Sequence, residues 1–330
     1  MNYNHPALGG PGFPNMKVIG GYDFGDDDGD PMEDVTLRQG GVSPSTHGTS
    51  CGTLAAGIDT GMEQYIGGVA PEAKLYALKV WNRQGGATLM SILKAWDWCI
   101  THQNDDPENP IMIISNSLGN PKLHSDVACD QKFPAWAQMA SKVVSKGMAL
   151  FISSGNEGQP RTIAAPSCLG DAISVGAVFD DNLGANYAKD SVTGYSNSSQ
   201  ILDLLAPSHN AATASSPGSI YTANFGGTSA ACPYAAGAAA LLQSEYKSMK
   251  GKFMTVEELR TLMRESGDLI ADPRTGLKKP RVNVAKALAM IGKGNEKKKK
   301  QPENKPEDGI IIDYNNKLER GGSSETVIDF

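Results

Sequence analysis

Five apolar runs, separated by segments with helical spacing, constrain the fold of this chain more than any other feature. The apolar runs are typical of buried strands and cover residues 74–80, 111–115, 148–153, 172–178 and 201–206. Spacing and composition predict helices over residues 88–104, 134–146, 228–245 and 255–266. Strands that alternate with helices form βαβ units, and nearly continuous apolar strands indicate a sheet covered on both faces. The sequence therefore predicts an α/β fold with three layers and a doubly wound, mostly parallel sheet.

The chain divides into a body and a tail. Residues 1–292 are predicted to form one globular unit, and residues 293–330 follow as a tail that opens with a lysine-rich stretch. This stretch has no apolar period, so it cannot bury enough surface to order itself. We expect a disordered tail rather than a polybasic binding patch, with GIIIDYNN (309–316) as a segment that could add a short strand.

Composition excludes several classes of function. The 30 basic and 36 acidic residues give a net charge of −6. This excess of acidic residues argues against a nucleic-acid-binding protein, which needs a basic face. The sequence has no run of eighteen apolar residues for a membrane span, and its first ten residues have no signal-peptide pattern. Its five cysteines contain no CxxC pair, which argues against a thiolate zinc site, and a disulfide between Cys129 and Cys168 stays open.

Three polar side chains sit at the strand and helix junctions where an α/β sheet carries its chemistry. Ser229 follows two glycines at the start of the Ala-rich helix, where a serine is either an N-cap or a nucleophile. His47 opens another helix of small residues, as a structural hydrogen-bonding group or as a base. Asn156 follows the strand 148–153, as a turn residue or as a donor to an oxyanion.

The blocks around these residues, HGTSCGTLAAG, SSGNEG and GGTSAACP in this order, resemble the histidine, asparagine and serine blocks of the subtilisin-like serine proteases, or subtilases. The resemblance covers about residues 3–290 and implies the subtilisin-like fold. It also implies a serine endopeptidase that cleaves polypeptides through an acyl-enzyme. His47 would be the general base, Ser229 the nucleophile and Asn156 the side-chain donor of the oxyanion hole.

The same resemblance implies where a substrate would bind. Ser117, Leu118 and Gly119 resemble the edge along which an extended peptide pairs. Ser153, Ser154 and Gly155 resemble the wall of the S1 pocket.

No cofactor is implied by the resemblance, and metal ligands are not expected. The acidic loop 23–34 lacks the EF-hand spacing, so we expect a solvated loop rather than a calcium site. Subtilases are usually exported with a folding-assisting propeptide. The resemblance therefore implies secretion and a propeptide in a longer parent.

One part of the family pattern is missing from its usual place. In subtilases the chain order is aspartate, histidine, serine, and the aspartate ends a strand shortly before a segment like YNHPAL. Here YNHPAL occupies residues 3–8, so the expected aspartate and the first core strand would fall upstream of Met1. The aspartates between Asp23 and Asp34 align with a later surface loop, and we do not expect any of them to replace it.

Two expectations follow from this departure. The sheet should have an unpaired edge or a cleft where the first core strand is missing. The peptidase activity should be impaired. The alternative is a non-catalytic peptide-binding pseudoprotease or an inactive gene fragment.

Overall fold

The secondary structure alternates between strands and helices through most of the chain. The computed structural model describes residues 1–34, 46–83, 85–183, 187–216, 218–296 and 326–329. The helices are a 3₁₀ turn (Pro6–Leu8), α1 (His47–Ala56), α2 (Leu89–Thr101), α3 (Pro134–Ser145), α4 (Thr228–Lys250), α5 (Val256–Ser266) and α6 (Val284–Glu296). The strands are β1 (Val18–Asp23), β2 (Lys74–Lys79), β3 (Ile111–Asn116), β4 (Asn120–Ser125), β5 (Ala149–Ser153), β6 (Ile163–Ala165), β7 (Ile173–Phe179), β8 (Leu204–Ser208), β9 (Ala211–Ser215), β10 (Ile220–Phe225), β11 (Asp268–Ala271), β12 (Lys278–Arg281) and β13 (Thr326–Asp329).

The main sheet of the described residues has the strand order β1-β2-β13-β3-β5-β7-β8-β12-β11. Its strands pair in parallel except for β11, which is antiparallel to β12 at one edge. The pairs β9–β10 and β4–β6 form small antiparallel sheets beside it. The predicted mostly parallel sheet is thus confirmed. The parallel order also means that the strands β3, β5 and β7 deliver their following loops to one edge.

Helices cover both faces of the sheet. One core joins the sheet to α1, α4, α5 and α6, and includes Ala55, Ala235 and Leu259. The other core joins the opposite face to α2 and α3, and includes Trp96 and Val143. These two cores give the three-layer architecture that the sequence predicted. Of the described helices, none is long and apolar enough to cross a membrane.

Between β2 and β3 lies a strand from the far end of the sequence. β13 pairs in parallel with both neighbours, and Val327 is in register with Leu75 of β2 and Ile113 of β3. The sheet is therefore closed where the missing first strand was expected to leave an unpaired edge. The physical reason is that the short run TVID can satisfy the backbone groups of two parallel neighbours at once. The segment 309–316, which the sequence nominated as an added strand, lies outside the described residues.

The boundary between body and tail does not coincide with the end of a helix. α6 extends to Glu296, beyond the predicted boundary at residue 292, and β13 comes from within the predicted tail. Residues 297–325 lie outside the described residues, so the disorder of the lysine-rich stretch stays a prediction. Part of the tail nevertheless belongs to the main sheet.

A close helix contact and a disulfide fix the positions of elements around the candidate residues. Helix α4 approaches α1 so closely that a Cβ at Gly237 would lie 2.6 Å from the carbonyl oxygen of Ala55. A disulfide joins Cys129, before α3, to Cys168, after β6. The pairing that the sequence left open is therefore formed in the structure.

Candidate functional site

A cleft of about 390 Å³ lies at the carboxyl ends of β3 and β5. His47 of α1, Ser229 of α4 and Asn156 of the loop after β5 all line it. These residues come from three distant parts of the sequence. The parallel topology brings them together because the strand ends share one edge of the sheet.

His47 is the first residue of α1 and stands where the helix meets the cleft. Its ring lies edge-on to Phe225, with 5.6 Å between ring centroids, and its Nδ1 lies 3.8 Å from Sγ of Cys51 one turn along the helix. Burial of the ring lowers the pKa of His47 to about 4. The imidazole is therefore neutral at neutral pH, the state in which it can accept a proton.

Ser229 is the second residue of α4, and its contacts tie the helix to the end of β3. Its Oγ donates to the carbonyl oxygen of Ser117 at 3.4 Å, while Oγ of Ser117 donates to the carbonyl oxygen of Ser229 at 3.0 Å. The thiol of Cys51 donates to the same Ser229 carbonyl at 3.4 Å. These contacts hold the hydroxyl at the cleft and at the amino end of a helix, where backbone N–H groups can stabilise negative charge.

Asn156 is oriented by Thr228, the residue just before Ser229. Its Oδ1 accepts from the backbone N–H of Thr228 at 2.8 Å and from the Thr228 hydroxyl at 3.0 Å. The Thr228 hydroxyl also accepts from the N–H of Gly155 at 3.2 Å. Because the amide oxygen is occupied in this way, the Nδ2 group is the part of Asn156 available to donate to a ligand in the cleft.

Gly227 makes this orientation sterically feasible. It has φ +76°, and a Cβ there would lie 3.2 Å from the amide atoms of Asn156. A residue with a side chain would be strained in that conformation and would also press on the amide. The second of the two glycines before Thr228 therefore has a local structural reason.

Five of the six predicted substrate-binding residues line the cleft, and the sixth stands behind it. Ser117, Leu118 and Gly119 line one side, and Ser153 and Gly155 line another. Ser154 is fully buried instead, and its hydroxyl donates to the carbonyl oxygen of Asn197 at 3.0 Å. It supports the wall without facing the cleft.

A second groove, of about 680 Å³, shares Leu118, Gly119 and Trp81 with the cleft. Phe133 and Trp136 make its lining largely aromatic and apolar. Trp81 and Thr228 were not among the residues that the sequence indicated for the site. The signals were present, because Trp81 closely follows a core strand and Thr228 immediately precedes the candidate nucleophile.

The acidic loop is organised around the ammonium group of a lysine. Nζ of Lys79 lies 2.5 Å from a carboxylate oxygen of Asp23, 2.9 Å from one of Asp26 and 3.1 Å from one of Asp34. Within the described part of the chain, no group of three or more His, Cys, Asp or Glu side chains could hold a metal ion. None of these loop aspartates forms an ion pair with His47 among the described contacts.

A family model and individual relatives both match this chain, and they indicate the same family. The model of the subtilase family matches residues 2–302. Serine protease AprX of Bacillus subtilis (strain 168) is 32% identical over 287 residues, which cover 81% of this chain and 59% of that protein. An intracellular serine protease of Paenibacillus polymyxa is 35% identical over 262 residues, 78% of this chain and 68% of that protein. Subtilisin E of Bacillus subtilis (strain 168) is 32% identical over 253 residues, 73% of this chain and 59% of that protein.

The chain thus spans about 59% of the length of two of these relatives. The family model covers nearly the whole body predicted from the sequence, including all three blocks that line the cleft. By its fold, its cleft and its relatives, this chain belongs to the subtilase family.

Proposed function

We propose that this chain is a serine endopeptidase that hydrolyses peptide bonds, with His47 as general base, Ser229 as nucleophile and Asn156 in the oxyanion hole. The observation that carries the proposal is the convergence of these three residues on one cleft of a subtilase fold. The names of the relatives, which are serine proteases, support the same reaction.

In the proposed reaction, Oγ of Ser229 attacks the carbonyl carbon of the substrate while Nε2 of His47 takes the hydroxyl proton. The negative charge that develops on the carbonyl oxygen is accepted by Nδ2 of Asn156 and by the backbone N–H of Ser229. Collapse of this intermediate breaks the peptide C–N bond, and His47 returns its proton to the leaving amine. Water then hydrolyses the acyl-enzyme by the same route.

The substrate would lie as an extended strand along Ser117, Leu118 and Gly119, because such a peptide adds to an exposed backbone edge. Ser153 and Gly155 would form the wall beside the residue that precedes the cleaved bond. The apolar groove next to Leu118 would then take a large apolar side chain further along the peptide.

The test is labelling with a fluorophosphonate, which reacts with activated serine hydroxyls, followed by mapping of the modified peptide. We expect one label per chain, at Ser229, and none in Ser229→Ala. Ser145→Ala removes an exposed serine hydroxyl of α3 and serves as the matched control. It should label like the unchanged protein, and cleavage of an unfolded protein substrate should follow the same pattern.

Folded protein that neither labels nor cleaves would contradict the peptidase proposal. It would favour the peptide-binding pseudoprotease instead. One observation keeps that alternative in view, since the described contacts of the Ser229 hydroxyl lead to Ser117 rather than to His47. Catalytic hydrogen bonds often form only when substrate is present, so this contact does not rule against the peptidase.

Export is a further part of the proposal. The disulfide between Cys129 and Cys168 is the kind of bond that persists in oxidising compartments. Alkylation of thiols in source cells lysed directly into denaturant, with and without a reductant, would test it, because the denaturant exposes the buried Cys51, Cys99 and Cys232 to the reagent. Two cysteines that react only after reduction would support export, and five that react at once would contradict it.

A further inference from the structure

His47 lacks a described partner for its proton-shuttling role. An imidazole that accepts and returns a proton works best when a carboxylate fixes its tautomer and stabilises the charged form. Burial is the cause of the lowered pKa of His47, and no described carboxylate offsets it. The titratable groups near this end of the site are Cys51 on α1, Glu157 across the cleft, and Glu33, which contacts α1 at Thr49.

β13 ends at the edge of the sheet where the cleft lies. The strand runs parallel to β2 and β3, so its carboxyl end shares an edge with the loop that starts at Ser117. Asp329 is the last residue of β13. It is in register with Ala77 of β2 and with Ser115 of β3.

The register also places Asp329 on one face of the sheet. Oγ of Ser115 lies 3.8 Å from Sγ of Cys232 in α4, and Ala77 belongs to the core shared with α1 and α4. Residues in register on neighbouring parallel strands share a face. Asp329 is therefore placed on the face that α1 and α4 cover, and both helices lie against β13.

Resting on the proposed function, we propose that Asp329 is the positioning residue of His47. Its carboxylate would hold the tautomer in which Nε2 of His47 takes the proton of Ser229, and would stay ionised while the imidazolium forms. The order along the chain is then histidine, serine, aspartate, a cyclic rotation of the order that subtilases use. Asp329 lies outside residues 2–302, the range that the family model matches.

Two other carboxylates compete for this role and serve as matched controls. Glu33 is buried beside α1, where its Oε2 accepts from the Thr49 hydroxyl at 2.5 Å and its Oε1 has no described partner. Asp313 follows the apolar run of GIIID in the tail and lies outside the described residues. If either were the partner of His47, its amide variant would show the effect instead.

The first measurement compares Asp329→Asn, Glu33→Gln and Asp313→Asn with the unchanged protein. We expect Asp329→Asn to lower kcat about 10⁴-fold with a much smaller change in KM, which is the loss that removing this carboxylate causes in well-studied serine proteases, subtilisin among them. The two control variants should stay within about tenfold. An Asp329→Asn variant that folds and keeps its kcat within tenfold would overturn the proposal, as would a loss of this size in either control.

The second measurement does not depend on turnover. In the Ser229→Ala background, the titration of His47 is followed by NMR and assigned with a His47→Gln variant. Adding Asp329→Asn should lower the pKa of His47 towards about 4, the result of burial alone, because a paired carboxylate favours the charged imidazole. An unchanged titration would overturn the assignment of Asp329.

Failure of the two proposals can be told apart. Turnover that persists in Ser229→Ala would defeat the peptidase proposal, while a shift of the His47 titration on Asp329→Asn would still support the pairing. Turnover that depends on Ser229, with neither kcat nor titration changed by Asp329→Asn, would defeat only the role of Asp329.

Discussion

At the scale of single residues, Thr228 determines which atom of Asn156 meets the cleft. Its buried hydroxyl accepts from the N–H of Gly155 and donates to Oδ1 of Asn156. One side chain thus joins the end of β5 to the start of α4. A chemical group that never touches substrate can in this way set the geometry of one that does.

Thr228→Val keeps the shape of the side chain and removes both hydrogen bonds. We expect the free energy of unfolding to fall by about 1–3 kcal/mol, because buried partners are left unsatisfied. We also expect kcat to fall about ten- to a hundredfold, since the Asn156 donor is less well fixed. Denaturant unfolding and steady-state kinetics measure the two effects.

The matched control is Thr193→Val. Thr193 is also buried, and its hydroxyl donates to the carbonyl oxygen of Ala177, outside the cleft lining. It should lose stability and keep its kcat. Equal losses of kcat in both variants would mean that Thr228 acts only through stability.

Lys17 gives a second prediction at this scale. Burial and the nearby Lys74 lower its pKa from 10.5 to about 7, although its Nζ donates to the carbonyl oxygens of Pro71 and Ala73. Between these two pKa values the unfolded chain binds a proton that the folded chain does not. The free energy of unfolding therefore rises with pH between about 7 and 10.5. The contribution of Lys17 to this free energy is fully present above pH 10.5 and is lost as the pH falls to about 7.

Lys17→Met should remove this slope from the free energy of unfolding measured between pH 7 and 10. The exposed Lys252→Met should leave it unchanged, because the Lys252 side chain is in contact with solvent in the folded protein as it is in the unfolded chain. Parallel pH profiles for the unchanged protein and Lys17→Met would contradict the expected titration of Lys17.

At the scale of elements, the contact between α1 and α4 fixes the distance between the residues at their amino ends. His47 begins α1 and Ser229 is the second residue of α4. The helices meet at Gly237, where an added Cβ would lie 2.6 Å from a backbone oxygen of Ala55 and 2.8 Å from Cβ of Val69. A backbone atom cannot move aside as a flexible side chain can, so one helix would have to shift.

Gly237→Ala should therefore lower the free energy of unfolding by about 1–3 kcal/mol, the usual cost of overpacking a core. It should also lower kcat, because the distance between His47 and Ser229 changes with the helix contact. Gly292→Ala, on α6, is the matched control, since a Cβ there meets nothing within 4 Å. It should be neutral or stabilising by up to about 1 kcal/mol, as alanine favours helix. A Gly237→Ala variant as stable as the control would refute the close packing.

The fully buried strands were predictable from the sequence, and the partly exposed ones were not. The runs 111–115 and 148–153 became β3 and β5 because both faces of these strands are buried, which leaves a continuous apolar signal. The partly exposed β9 and β10 carry no such run. Their pairing depends on neighbours elsewhere in the fold, so no local pattern indicated it.

At the scale of the whole molecule, segments from both ends of the sequence contact α1. β13 pairs with β2 and β3, while Asn2 near the other end donates its backbone N–H to Oγ1 of Thr49 on α1 at 2.7 Å. α1 also lies against β13. Both ends of the sequence therefore meet the helix that begins with His47.

Deleting residues 326–330 should lower the free energy of unfolding by several kcal/mol, at about 1 kcal/mol for each backbone hydrogen bond lost from β2 and β3. The exposed strand edges should also promote aggregation. Deleting residues 297–301 removes the same number of residues from the lysine-rich stretch and should change neither property much. Thermal unfolding and light scattering test both, and equal stability of the two deletions would contradict the placement of β13.

The sequence by itself determined the family of this chain, its α/β class and the residues that meet in the cleft. Those signals are local, since each resides in a short block such as the one around Ser229 or in the apolar run of one strand. Only the tertiary structure decided that residues 326–329 take the place between β2 and β3, which puts Asp329 in register with Ser115 near the end of β3. Parallel pairing joins residues far apart in the chain, and a run as short as TVID indicates a partner only when the partner's position is known.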